Sequence, residues 1–160
     1  MEASLCREHL AELVQEELKL LEVLYMLLEE ERVVIASGDL KALERSTALR
    51  QAQVAALAQT EAQRNSLCSM HGQSPDAAGL GRILKWCDPT GGLAAMLREC
   101  RERALKCRQL NDRNGLMVSA HLKRVDERLR ALRGRTDRAA TYGPRGDLAA
   151  SNAGRMLGTV

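Results

Sequence analysis

Aromatic side chains are scarce in this sequence: phenylalanine is absent, and one tryptophan and two tyrosines make up 2% of its 160 residues. β-Sheets and compact α/β cores depend on aromatic and β-branched side chains, and both kinds are few here. Leucine, alanine, arginine, glutamate and glutamine dominate instead, which is typical of long helices and coiled coils. The composition therefore predicts an all-α protein with one hydrophobic core.

Long apolar runs are also missing, and no stretch approaches the roughly 20 apolar residues that cross a membrane. The first residues lack the basic segment and apolar run of a secretory signal. The five cysteines form no C-x-x-C pair. Cys100 and Cys107 would lie about 10 Å apart along a helix, which is too far for a disulfide. We therefore expect reduced, buried cysteines in a cytoplasmic protein that does not insert into membranes.

Residue patterns that support catalysis or metal binding are absent from the sequence. The three histidines, His9, His71 and His121, lie on different predicted elements, with no acid or cysteine at metal-ligand spacing. No H-E-x-x-H motif, glycine-rich phosphate loop or nucleophile elbow occurs. The sequence therefore predicts a protein that is not an enzyme and needs no metal or cofactor.

A seven-residue repeat of apolar side chains predicts a first long helix at about 4–36. One heptad position is apolar in four successive repeats, and the residues that occupy it are Val14, Leu21, Leu28 and Ile35. Leucines at neighbouring positions widen this stripe beyond a two-stranded seam, so the helix should touch at least two neighbours. The stripe fits either a three-helix monomer or a homodimer that completes the bundle.

Ser37-Gly38-Asp39 predicts the end of that helix and the start of the next. Glycine suits the left-handed residue after a helix, and aspartate is a good N-cap. So short a link predicts an antiparallel hairpin with a second helix at about 39–70. Five polar residues interrupt the apolar faces of the two helices, namely Glu17, Glu31, Arg50, Glu61 and Arg64.

Glycines and prolines concentrate between residues 71 and 92, which predicts a connection. Ser74-Pro75 is typical of an N-cap followed by proline at the first helical position. A structureless loop of this length would be unusual, so we expect a short helix through Ile83 and Trp86.

A third long helix is predicted at about 90–133, with Gly134 as its end and Ala104 on its inner face. Residues 135–160 have no sustained periodicity and predict a flexible C-terminal tail. The predicted organisation is a helical bundle domain at 1–134 followed by that tail. The predicted fold is three long antiparallel helices that form a coiled-coil-like bundle.

Charge is unevenly distributed along the chain. Residues 1–35 carry nine acids and three bases, a net charge of −6, whereas residues 98–138 carry thirteen bases and six acids, a net charge of +7. One interpretation is an arginine-rich surface for nucleic acid, but interleaved acids and the lack of nearby aromatics argue against it. The simpler interpretation is that the acidic and basic helices lie side by side and neutralise each other.

A polar patch, Leu110-Asn111-Asp112-Arg113-Asn114-Gly115, interrupts the third long helix. A glycine inside a helix costs up to about 1 kcal/mol relative to alanine, so the patch needs a reason. A buried asparagine layer that fixes the register of the bundle is one interpretation, and a docking spot or kink is the other.

Three passages together resemble the FlgN family of flagellar type III export chaperones. The first is the hairpin with Leu28-Glu29-Glu30-Glu31-Arg32 and Ala36-Ser37-Gly38-Asp39-Leu40. The second is the polar patch, through Asn111, Asn114 and Gly115. The third, Thr141-Tyr142-Gly143-Pro144-Arg145-Gly146, is similar to the family's Tyr-Gly-Pro-Asp-Gly element, with Arg145 in place of the acid. Its matching residues are Tyr142, Gly143, Pro144 and Gly146.

The resemblance implies a chaperone that binds hook-associated proteins, the proteins of the hook–filament junction, and delivers them to the flagellar export gate. The clients' terminal amphipathic helices would lie in a helical groove. For client contact we expect five residues of the third long helix: Val118, Leu122, Val125, Leu129 and Leu132. The same residues would also fit a bundle core. Tyr142 is the expected contact with the export gate, and a structural or adaptor coiled coil is the alternative function.

Overall fold

The structure is a computed structural model, which describes residues 2–137 and gives side chains as far as residue 133. This part of the chain is helical, with four helices: α1 (Ala3–Ser37), α2 (Leu40–Met70), α3 (Ala77–Cys87) and α4 (Gly92–Asp137). The all-α prediction is confirmed for these residues. Three helices are long, and α3 is the short helix expected inside the connection. The predicted flexible tail lies outside the described residues.

The chain divides into two compact units, residues 1–118 and 119–160. The first contains α1, α2, α3 and the first part of α4. The described part of the second is the remainder of α4, residues 119–137. Helix α4 continues through Gly134, where the sequence predicted its end. One glycine costs about 1 kcal/mol relative to alanine in a helix, which is too little to stop it without further capping contacts.

Helices α1 and α2 form the predicted antiparallel hairpin. Gly38 has φ 74°, the left-handed conformation that ends α1, and its N–H donates to the carbonyl oxygens of Val34 and Ile35. The Asp39 carboxylate accepts the Ala42 N–H at 3.0 Å and begins α2. Glycine and aspartate therefore do here what their types predict.

Helices α1 and α4 are parallel, and three hydrogen bonds fix their register. The Cys100 and Cys107 thiols donate to the carbonyl oxygens of Val14 (3.7 Å) and Leu21 (3.5 Å). The Asn114 amide donates to the Leu28 carbonyl oxygen at 2.9 Å. Each donor follows its acceptor by 86 residues. The three donors are seven residues apart, and so are the three acceptors, so these contacts form layers that repeat every seven residues in both helices. The prediction of three long antiparallel helices is met in part: α2 runs against both α1 and α4, and a fourth helix, the short α3, lies between α2 and α4 in the chain.

Helix α3 closes the end of the bundle where α1 begins and α2 ends. Its N-cap is Asp76, whose carboxylate accepts the Gly79 N–H at 2.7 Å. The sequence predicted Ser74 as this cap, which is wrong: the Ser74 hydroxyl instead donates to the Asp76 carboxylate at 2.9 Å. A side chain at position 79 would overlap the Ser74 carbonyl oxygen, so this close turn needs glycine.

The hydrophobic core of the first unit follows the α1 stripe. It consists of apolar side chains and thiols from all four helices, with relative exposures below one tenth. Its members are Cys6, Leu10, Val14, Leu21, Leu24, Leu28, Leu67, Cys68, Leu80, Ile83, Cys87, Leu93, Leu97, Cys100, Cys107 and Leu110. Only Leu67 and Cys68 of this set belong to α2, which agrees with the thin apolar face of that helix.

Candidate protein-binding surfaces

The second half of α4 carries a row of exposed apolar side chains, which we call the C-terminal stripe: Leu122, Val125, Leu129 and Leu132. Their exposed fractions are 65%, 52%, 48% and 60%. The spacing of three, four and three residues places all four on one face of the helix. Residues of this size are usually buried, so a contiguous exposed row marks a candidate binding surface.

Val118, the fifth residue predicted for client contact, differs from the stripe. It belongs to the first unit and is half-buried. The sequence placed all five on one inner face because they share a helical period. The period identifies a face, but it does not show where along the helix that face is covered.

Basic side chains outnumber acidic ones along the part of α4 that carries the C-terminal stripe. Between residues 119 and 133 there are five bases and two acids. Asp126 pairs with Arg130 at 2.7 Å, four residues later on the same helix. Lys123, Arg124 and Arg128 make no ion pair within the part of the chain that the structure describes. This part of α4 therefore offers an apolar row on a helix with a net positive charge.

The polar patch of α4 contains one buried amide. Asn114 is 2% exposed, and its Nδ2 donates to the Leu28 carbonyl oxygen and, at 3.0 Å, to the carboxylate of the buried Glu31. Glu31 also accepts the Arg50 Nε–H at 3.1 Å. Asn111 is exposed, and its Oδ1 lies 3.4 Å from an Arg50 nitrogen. This Asn114–Glu31–Arg50 layer joins α1, α2 and α4, which favours the register-fixing interpretation.

Gly115 has no packing requirement of its own. A Cβ at this position would meet no atom within 4 Å. The glycine of the patch is therefore not explained by close approach of a neighbouring element.

The predicted neutralisation between α1 and α4 occurs at one place. Glu22 pairs with Arg103 at 3.4 Å, and this is the single ion pair between these helices among the described residues. The acids that interrupt α1 pair with α2 instead: Glu31 with Arg50, and Glu17 with Arg64. Most of the positive charge of α4 is therefore left facing solvent.

A second apolar surface lies in the first unit, where α2 and α4 flank α1. We call it the α2/α4 groove. It has a volume of about 350 Å³. Its floor is formed by Leu21, Leu24 and Leu28, and its walls by Arg50, Val54, Leu57, Ala104, Cys107, Arg108 and Asn111.

The sequence interpretation missed this groove. It placed Ala104 on the inner face of the third long helix, but the residue is exposed on a groove wall. Two signals could have indicated the groove: the thin apolar face of α2, and the small side chain of Ala104 between larger core residues. Neither signal shows which side of α1 would be left open.

The five cysteines are buried and unbridged. Desolvation raises the pKa of the Cys6 and Cys100 thiols to about 11 and also raises that of Cys68, Cys87 and Cys107. Thiols with raised pKa values stay protonated at neutral pH and are poor nucleophiles.

Among the described residues, no cluster of histidine, cysteine or acidic side chains could hold a metal ion. No helix in this part of the chain is long and apolar enough to cross a membrane.

These features together define a helical protein-binding module, with exposed apolar surfaces on a bundle whose register is fixed by a polar layer. The family model described as FlgN protein matches residues 1–150, so the chain belongs to the FlgN family of flagellar export chaperones. No curated protein and no solved structure matches the chain. The match includes Tyr142, Gly143, Pro144 and Gly146, which lie outside the described residues.

Proposed function

We propose that this protein is a cytoplasmic export chaperone that binds the amphipathic terminal helices of hook-associated proteins. It prevents their premature assembly and delivers them to the flagellar type III export gate. The observation that carries this proposal is the C-terminal stripe, four exposed apolar side chains on one face of α4. Membership of the FlgN family supports the same function.

The physical basis is the burial of two apolar surfaces in one contact. A terminal helix that assembles into a coiled coil in the finished filament exposes its apolar face beforehand and would aggregate. Covering it with the C-terminal stripe packs two apolar helix faces against each other, as in a coiled coil. Burying the exposed halves of four such side chains contributes on the order of 3–6 kcal/mol, before the entropic cost of association. A contact of this strength is reversible, as delivery requires.

The net positive charge of this part of α4 favours clients with acidic residues beside their apolar face. Arg128, which lies beside the stripe, would contact an acidic side chain of such a helix, whereas Lys123 and Arg124 lie nearer the opposite face and add only to the overall attraction. Tyr142 is proposed as the contact with the export gate, and the family resemblance is its support.

The test is a calorimetric titration with the C-terminal helical segment of a hook-associated protein. We expect saturable binding by the full chain and by a 1–136 truncation, since both contain the C-terminal stripe. Leu129→Asp should abolish binding while helicity, measured by circular dichroism, is unchanged. Leu105→Asp is the matched control, because Leu105 is 55% exposed on the same helix outside the stripe.

Other results would change the proposal. Binding by the full chain alone would assign the contact to residues 137–160. Loss of helicity in Leu129→Asp would mean that the stripe is core. If neither form bound, and the protein instead assembled with itself, a structural coiled coil would be the better description.

A further inference from the structure

The α2/α4 groove is apolar at its centre and lies between two helices that both pack on α1. Buried leucines form its floor, while Val54, 48% exposed, and the exposed Ala104 stand on opposite walls. At one end, Arg50 and Asn111 approach each other across it. From Ala104 to Asn111 the wall extends for two helical turns, about 10 Å. The groove has room for two apolar side chains one turn apart on an incoming helix.

Positive charge lies at the border of this groove. Its lining contains two arginines and no acid. Arg50 is already held by Glu31, whereas Arg108 is exposed and makes no ion pair among residues 2–133. Since Arg108 stands at the edge of an apolar surface, a carboxylate beside the apolar face of an occupant would meet it.

We propose that the α2/α4 groove binds an acidic amphipathic helix of the client, as a second contact separate from the C-terminal stripe. This inference rests on the proposed chaperone function and extends it. The helix places two apolar side chains over Leu24 and between Val54 and Ala104, and it directs a carboxylate to Arg108. The client is then held by two segments, and each surface covers a different part of it.

The experiment measures the affinity of a full-length hook-associated protein for the full chain and for two pairs of variants. Val54→Glu puts a carboxylate into the groove, and Leu49→Glu is its control on a residue of α2 with similar exposure, 56% against 48%. Arg108→Glu reverses the charge of the edge, and Arg113→Glu is its control on α4 outside the groove. We expect each groove variant to weaken binding about tenfold or more, and each control to change it less than threefold.

A photocrosslinker that replaces Val54 identifies the occupant directly. Crosslinks to an acidic helical segment of the client support the inference, and crosslinks to residues 138–160 of the same chain or to a second copy overturn it. Groove variants that bind as tightly as wild type overturn it as well, while the chaperone function stands. If the wild-type chain does not bind the client at all, both proposals fail.

Discussion

Asn114 lies at the same heptad position of α4 as Cys107 and Cys100, which precede it by one and two heptads. A buried amide is more polar than a thiol, so Asn114 needs hydrogen-bond partners that a buried thiol can do without. It donates to the Leu28 carbonyl oxygen and to the buried Glu31 carboxylate, which in turn accepts from Arg50. A buried carboxylate is tolerated only where such donors surround it. The amide therefore stabilises a charge that belongs to another helix.

We predict that Asn114→Ala lowers the free energy of unfolding by about 1–3 kcal/mol, because Glu31 loses a donor while it stays buried. Urea denaturation followed by circular dichroism measures this. Asn111→Ala is the matched control: Asn111 is exposed, and we expect a change within about 0.5 kcal/mol. Equal stability of Asn114→Ala and wild type would show that the layer contributes nothing to the fold.

At single residues, the sequence predicted burial better than it predicted pairing between helices. The expectation that Cys100 and Cys107 are buried is confirmed, and the buried asparagine that was one interpretation of the polar patch is Asn114. Glu31 and Arg50, in contrast, were interpreted as separate interruptions of two apolar faces. They are partners, as are Glu17 and Arg64. Pairing depends on the relative position of α1 and α2 along their axes, and a repeat within one helix carries no information about that.

At the scale of elements, the junction between α3 and α4 depends on one carboxylate. Asp88 is the C-cap residue of α3, and its oxygens accept the Thr90 hydroxyl at 2.8 Å and the Leu93 N–H at 2.7 Å. Arg7 of α1 lies 3.4 Å away. The Thr90 hydroxyl, the Leu93 N–H and the Arg7 charge together hold the pKa of Asp88 below its ordinary value of 3.8. One ionised group thus connects the end of α3, the start of α4 and α1.

The lowered pKa of Asp88 determines how the stability of the fold should change with pH. A carboxyl group with a lower pKa in the folded state stabilises the fold above its ordinary pKa and loses that effect as the pH falls through the folded value. We therefore predict that wild type melts at a higher temperature than Asp88→Asn at neutral pH, and that the difference narrows below pH 3.8. Thermal melts across this range measure it.

The control for this prediction is Glu12→Gln, which removes an exposed carboxylate of α1 that caps no helix. Its melting temperature at neutral pH should match wild type. A difference between wild type and Asp88→Asn that stays constant with pH would contradict the role of the ionised form.

Element types and approximate bounds followed from the sequence, but the capping residues followed less well. Periodicity predicted all three long helices, and glycine and proline content located the short one. Ser74 was the expected cap of α3 because proline follows it, yet Asp76 caps the helix because its carboxylate reaches the Gly79 N–H. Both residues are good caps by type, so the choice depends on the path of the loop.

At the scale of the whole molecule, binding a client and delivering it are separable tasks in the proposed function. The C-terminal stripe and the α2/α4 groove lie on described helices, whereas Tyr142 lies outside them. Sequence periodicity located the stripe but not the groove, since a groove is defined by the spacing of two helices that flank a third. Only the assembled bundle sets that spacing.

We predict that Tyr142→Ala binds the client as tightly as wild type but does not restore motility to a strain that lacks the chaperone. Client binding is measured by calorimetry, and motility by swimming in soft agar. Tyr25→Ala is the matched control, because Tyr25 is the other tyrosine of the chain and lies exposed on α1. Normal motility with Tyr142→Ala would exclude this residue from export-gate docking.

The constant 86-residue offset between α1 and α4 constrains how such a chain can change length in evolution. An insertion in the connection around α3 alters the offset number but leaves every layer intact, since both helices keep their seven-residue repeat. An insertion of three residues within α4 between Cys100 and Asn114 would rotate the later layers by nearly a full turn and shift them by about 4.5 Å along the axis. Asn114 would then no longer reach Glu31. Length variation among related chains should therefore concentrate in the connection, and changes inside the paired helices should come in multiples of seven and in both helices together.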